Sequence, residues 1–183
     1  QDKIKTNVAL LFSAEDGYVT NLNLPTNSYQ QLNYDLVDEV YEVSKDGELY
    51  ASGLRSIVAL EWNKEDKHLY SVVHGRDDLT RLWPNKFNQL ENALLPSEEF
   101  VKIEKGDHFG WPYCYYDQIQ EKKVLAPEYG GDGNIIGRCD QYKDPIIGFP
   151  GHWAPNDLVF YKGNHFPERY KNGAFIAFHG STN

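Results

Sequence analysis

Short apolar runs separated by acidic or glycine-bearing turns set the pattern of this chain. "LLFSAEDGYVTNL" (10–22) reads as strand, Asp16-Gly17 turn, strand. "YEVSKDGELYASG" (41–53) repeats that order around Asp46-Gly47, and "LEWNKEDKHLYSVV" (60–73) does so around Glu65-Asp66-Lys67. Alternation on both sides of a tight polar turn predicts β-hairpins. The first and third units share a register, because Phe12 is followed by S-A-E-D and Trp62 by N-K-E-D, 50 positions later. A further strand in "LVFY" sets Phe160 another 98 positions on, close to twice that interval.

A period near 50 residues with about four strands per unit predicts an all-β fold, a β-propeller. A plain β-sandwich also yields hairpins but gives no reason for the interval. With 183 residues the chain holds about three blades, fewer than a closed propeller needs. Residues 1–183 are therefore expected to form one partial β-propeller domain of a larger protein. Residues 80–99 carry two prolines and little alternation, predicting an irregular connection. Residues 117–151, rich in Gly, Asp and Pro, predict a long loop of the kind that usually carries function.

Composition sharpens this picture. Aromatics make up 14% of the chain, with 13 Tyr, 15 Gly and 9 Pro, a mixture that favours short strands and turns over helices. The net charge of -9 argues against nucleic acid as a partner, since phosphates must be met by Lys and Arg. No apolar run approaches the roughly 18 to 20 residues needed to cross a bilayer. The start at Gln1, without Met, is read as a processed or trimmed end, which leaves room for an export signal. Cys114 and Cys139 are the two cysteines. As free thiols they fit a reducing compartment. Joined, they close a loop worth roughly 3 kcal/mol and point to export, and their Cα atoms must then lie roughly 4.4 to 6.8 Å apart.

Several stretches carry candidate chemistry. In "LYSVVHGRDDL" (69–79) a strand ends in His74, Gly75, Arg76, Asp77 and Asp78. Gly75 permits a sharp turn that exposes carbonyls, and Asp77 and Asp78 add hard oxygens of the type Ca²⁺ takes. Read alone, the cluster is equally a solvated acidic turn. "DGNIIGRCD" (132–140) fails as a calcium loop, because Ile136 and Lys143 stand at ligand positions. Arg55 in "ASGLRS" (51–56) follows a strand-ending glycine, where it can hold a carboxylate or quinone oxygen or make an edge salt bridge. "HFGWPYCYY" (108–116) offers Trp111, Tyr113, Tyr115 and Tyr116 to wall a sugar or planar-cofactor pocket, or to pack beneath a loop. His152 and His179 each lie beside a Gly at a strand boundary.

Taken in order, "ASGLRS", "HGRDDL", "LPSEEFVKIEKGDHFGWPYCYYD", "GRCDQYKDP" and "HWAPNDLVFYKGNHFPERYKNGAFIAFHGS" resemble the glucose/sorbosone dehydrogenase family. These are soluble quinoproteins that use pyrroloquinoline quinone (PQQ). The resemblance covers nearly the whole chain and is strongest from Tyr50 to Ser181. It implies a six-bladed propeller of which this chain forms the middle blades. It implies that Arg55 holds the quinone, with Ser56 standing where the family usually has Asn. Gly75 and Arg76 match positions whose carbonyls bind catalytic Ca²⁺, with the Asp77 and Asp78 carboxylates close by. His74 matches a cofactor contact, His152 and Trp153 fall in the segment lining the cofactor pocket, and Asn27 and Gln30 match a nearby loop.

The family's general base is a His, and Lys5 occupies its place here. A positioned base contributes roughly 10² to 10⁴ in rate, so its loss would impair oxidation badly. The resemblance therefore implies either an exported PQQ- and Ca²⁺-dependent oxidoreductase acting on a sugar or sugar aldehyde, or a catalytically degenerate propeller that binds carbohydrate or protein. The electron acceptor is unnamed by the sequence. An incomplete propeller exposes strand edges and is expected to self-associate or to pair with the missing blades.

Overall fold

A computed structural model of the chain describes residues 8–12, 18–22 and 48–180. β1 (Val8–Phe12) runs antiparallel to β2 (Tyr18–Leu22) with Leu10 opposite Thr20, while the Asp16-Gly17 turn between them lies outside the described residues. β3 (Glu48–Ser52) adds to β2 to complete a three-stranded sheet. The Asp46-Gly47 turn lies outside the described residues.

The next unit is a full antiparallel blade. β4 (Ser56–Asn63), β5 (His68–His74), β6 (Glu98–Ile103) and β9 (Ile147–Phe149) lie side by side in that order. The β4–β5 turn closes as the sequence predicts: the Lys67 N–H donates to the Asn63 carbonyl (2.9 Å), and Lys67 takes φ 59. β5 is buried on both faces, which explains its almost continuous apolar run. Tyr70 and Val72 pack one way, against Phe100, Leu158 and Phe160. Val73 packs the other way, with Ala51, Leu54, Val101, Ile103 and Phe109. Ser71, alone polar between them, donates its hydroxyl to the Ala59 carbonyl at 2.8 Å.

β10 (Pro155–Phe160) and β11 (Ala174–Phe178) begin the following sheet. Three sheets of a β-propeller are thus present, the first and third through three and two described strands. Among the described residues no helix is long and apolar enough to cross a membrane.

Two segments differ from expectation. Residues 80–99 hold two short helices, α1 (Leu79–Leu82) and α2 (Gln89–Leu94). α2 starts at a capping box, in which Asn88 and Glu91 each accept the other's backbone N–H. The stretch 117–151, expected as a long loop, contains β8 (Lys122–Leu125), which pairs with β7 (Cys114–Asp117), two 3-10 turns and β9. This hairpin is an insertion between the third and fourth strands of the central blade. Cys114 and Cys139 are joined in a disulfide, with Cα atoms 5.9 Å apart, tying β7 to the 3-10 turn Gly137–Gln141. The Asp132 carboxylate accepts the N–H groups of Asn134 and Ile135, so "DGNIIGRCD" is a loop built on its own aspartate.

Candidate functional site

The hairpin register places the first two functional residues. Ser56 lies opposite His74 across β4 and β5, so Arg55 and Gly75 leave the sheet side by side. The Arg55 guanidinium donates to the Gly75 carbonyl at 2.5 Å and, at 3.4 Å, to that of His74. Among the described residues both of its hydrogen-bond partners are carbonyls, and no carboxylate shares them. Burial lowers the pKa of this guanidinium, against the opposing pull of Asp77.

Gly75 is held at both ends of its residue. Its N–H donates to Glu98 Oε2 at 2.9 Å, and a Cβ here would sit 2.7 Å from the Pro96 carbonyl oxygen and 2.9 Å from that of Ser97. Gly75→Ala is therefore expected to destabilise the protein by about 1 to 3 kcal/mol, read as a lower urea midpoint at unchanged m-value. An unchanged midpoint would show that the strand ends give way freely.

Glu98, which the sequence reading passed over, organises the neighbourhood. It is 3% exposed, and its second oxygen accepts the Ala154 N–H at 3.4 Å. One buried carboxylate thus ties the "HGRDDL" turn to the "GHWAP" turn. The visible signal was an acidic residue at an inward position of "EEFVKI". Around it the backbone is strained: Asp78 (φ 71), His152 (φ 65) and Ala154 (φ 49) all adopt left-handed conformations without being glycine. Such outliers gather at functional sites.

The side chains of the charged knot are already engaged. Asp77 meets His152 Nδ1 at 2.9 Å, and His152 Nε2 lies 2.7 Å from the Asn92 carbonyl oxygen. Asp78 pairs with Arg81 at 2.7 Å, which lowers its pKa. Arg76 pairs with Glu128 and stacks on Trp83. His74 Nε2 lies 2.9 Å from the Pro155 carbonyl oxygen, so that nitrogen donates and Nδ1 is left as the ring's acceptor. Trp153 is half exposed and packs on Phe149 and Phe178.

The aromatic segment closes the site. The chain after β6 zips onto the end of β3: Ser52 N–H to the Asp107 carbonyl, Phe109 N–H to Ser52 and Trp111 N–H to Gly53, each at 2.9 Å. Gly53 is required there, since at φ +74 a Cβ would meet His108 Nδ1 at 2.5 Å. Trp111 ends with its ring 5.6 Å from the Arg55 guanidinium. Tyr115 is 4% exposed, and its hydroxyl is buried without a hydrogen-bond partner among the described residues. Burial pushes its pKa up, so it stays a donor. Arg55, His74, Gly75, Arg76, Trp111 and Tyr115 line one cleft open to solvent.

His108 gives this segment a pH dependence. Its Nδ1 accepts the Gly110 N–H at 2.9 Å, its ring stacks on Tyr142, and burial lowers its pKa. The folded state thus binds this proton more weakly than the unfolded chain does. Its contribution is full above the unfolded value near 6.5 and is lost as pH falls toward the folded value. His108→Asn, which keeps an acceptor that cannot titrate, is expected to flatten the stability–pH curve below pH 6.5 in thermal melts. Equal slopes in the two proteins would contradict this.

Comparison with known proteins now bears on the cleft. A family model described as TrAA12-like matches residues 27–183. This chain belongs to the TrAA12-like family. A Borreliella burgdorferi protein described only as uncharacterized is 30% identical over 140 residues, which is 76% of this chain and 32% of that protein. Among solved structures, the Trichoderma reesei carbohydrate-active enzyme of family AA12 is 24% identical with a TM-score of 0.56, covering 75% of this chain and 36% of that one. The holo PQQ domain of Coprinopsis cinerea pyranose dehydrogenase is 18% identical, with a TM-score of 0.50, covering 75% and 35%. These likenesses establish the propeller fold. The chain spans about a third of the length of the proteins it matches.

The two groups that a TrAA12-like or glucose/sorbosone-type reading implies fare differently against these residues. The calcium set expected at Gly75, Arg76, Asp77 and Asp78 is not assembled as a cage. The Gly75 carbonyl is taken by a guanidinium, Asp77 by His152 and Asp78 by Arg81. Among the described residues no group of three or more His, Cys, Asp or Glu could hold a metal ion. A planar organic anion fits better. The cleft offers a guanidinium hydrogen-bonded to carbonyls among the described residues, and an indole face beside it. Of the other expected residues, Ser56 pairs opposite His74 in the sheet, His152 braces Asp77, and Trp153 packs away among aromatics. Lys5, Asn27 and Gln30 lie outside the described residues.

Proposed function

We propose that this TrAA12-like chain is part of an exported, PQQ-dependent oxidoreductase acting on a sugar or sugar aldehyde. The observation that carries the reading is the juxtaposition of Arg55, partly desolvated and bonded only to carbonyls, with the Trp111 ring in an open cleft. A desolvated cation gains most from an anionic ligand, and a guanidinium meets a carboxylate or quinone oxygen with two parallel N–H groups. The family membership and the shared fold with the PQQ domain of pyranose dehydrogenase support the choice of quinone. The disulfide between Cys114 and Cys139 supports export.

The quinone, when bound, supplies a two-electron acceptor for alcohol or aldehyde oxidation. The chain's own residues bind and orient it. Arg55 would hold it by charge and hydrogen bonding, and Trp111 would offer a planar face. Glu98 and Gly75 hold the two turns at a fixed separation. His74 also lines the cleft, with its Nε2 turned to the Pro155 carbonyl.

A second reading has its own support. Asp77, Asp78 and the Gly75 carbonyl are all engaged, as in a propeller that keeps its scaffold for binding carbohydrate or protein. Loading the intact protein with PQQ and mixing it with a panel of aldoses separates the two. Sugar-driven loss of the oxidised quinone absorbance is expected of the oxidoreductase. Binding without reduction by any sugar would favour the binding module.

A further inference from the structure

We infer that this cleft takes a planar carboxylate ligand without a divalent cation, the Arg55 guanidinium standing where a metal would otherwise join the Gly75 carbonyl to the ligand. The inference rests on the quinone reading above and deepens it. Arg55 reaches the Gly75 carbonyl at 2.5 Å, so a metal ion approaching that oxygen would meet a fixed positive charge in direct contact. The nearby carboxylates each have a partner: Asp77 meets His152, Asp78 meets Arg81, Glu98 accepts the Gly75 N–H, and Glu99, also in the cleft lining, meets Lys123. Hard divalent cations of calcium's size take six to eight oxygens, and in this turn the Gly75 carbonyl and one oxygen each of Asp77 and Asp78 are already engaged.

Each requirement of an anionic, planar ligand is met by a group already in place. Charge comes from Arg55, whose hydrogen bonds among the described residues go to carbonyls and not to a carboxylate. Rigidity comes from the fixed turn: Glu98 holds the Gly75 N–H, so the carbonyl that orients Arg55 cannot rotate freely. The Trp111 ring beside Arg55 adds a flat apolar wall.

Two titrations of the intact protein test this. PQQ is added in excess EGTA and, separately, in millimolar calcium, with tryptophan quenching and quinone absorbance as readouts. The dissociation constants are expected to agree within about tenfold. Binding that appears only with calcium, or is tightened more than about tenfold by it, would overturn the inference while leaving the quinone reading intact. Absence of binding under both conditions would overturn the quinone reading and this inference with it. Equilibrium dialysis against radioactive calcium, without quinone, gives an independent answer. No stoichiometric uptake is expected at micromolar free calcium, and one calcium bound per chain there would overturn the inference.

Discussion

Glu99→Ala is expected to destabilise this protein by about 3 to 5 kcal/mol. Glu99 lies 3.2 Å from the Lys123 ammonium, whose side chain is 1% exposed. The pair joins β6 of the central blade to the inserted β7–β8 hairpin. Beside it the Ser97 N–H donates to the Tyr116 carbonyl (3.1 Å) and the Gln118 N–H to Ser97 Oγ (3.0 Å). Removing the carboxylate leaves a buried ammonium with only the Tyr116 ring, 5.7 Å away, as partial compensation. The double variant Glu99→Leu with Lys123→Met removes both charges and is expected to recover most of the loss, since an apolar pair carries no uncompensated charge. Urea unfolding of the two single variants and the double variant checks this. Additive losses would show that the two charges are not coupled.

Breaking the disulfide is the other large effect. Cys114 and Cys139 are 25 positions apart, and the loop they close contains the whole inserted hairpin. The chain-entropy model gives roughly 3 kcal/mol for a loop of this size. Cys114 and Cys139 are 3% and 1% exposed, so reductant should reach them only when the segment opens. Paired Cys114→Ser and Cys139→Ser replacement is therefore expected to lower the melting temperature by several degrees, while brief reductant treatment of the native protein does little. A variant with an unchanged melting temperature would show that packing of Val124 and Ala126 against Tyr115 suffices to hold the hairpin.

What the sequence disclosed follows from how local each feature is. The "NKED" turn announced β4–β5 because alternation and turn chemistry reside in adjacent residues. That hairpin also carried half the site, since its register alone sets Arg55 beside Gly75. α2 was missed although its Asn88…Glu91 capping box was legible, because a helix of six residues shows too little apolar period. Glu98 and the orphaned Tyr115 hydroxyl could not be found in advance. Their roles depend on contacts between turns 23 to 56 residues apart and on burial that no local pattern encodes. The expected calcium positions show the same limit. Composition shows which oxygens are near one another, but not that a guanidinium and a histidine have already claimed them.

The most direct measurement of the central claim compares PQQ binding by the intact wild-type protein and an Arg55→Met variant, followed by quinone absorbance. Saturable one-to-one binding is expected for the wild type. The variant is expected to lose about 10- to 150-fold in affinity, the range for a hydrogen bond to a charged group, with circular dichroism confirming that it folds. Equal affinities in the two folded proteins would contradict the assignment of this cleft as the quinone site.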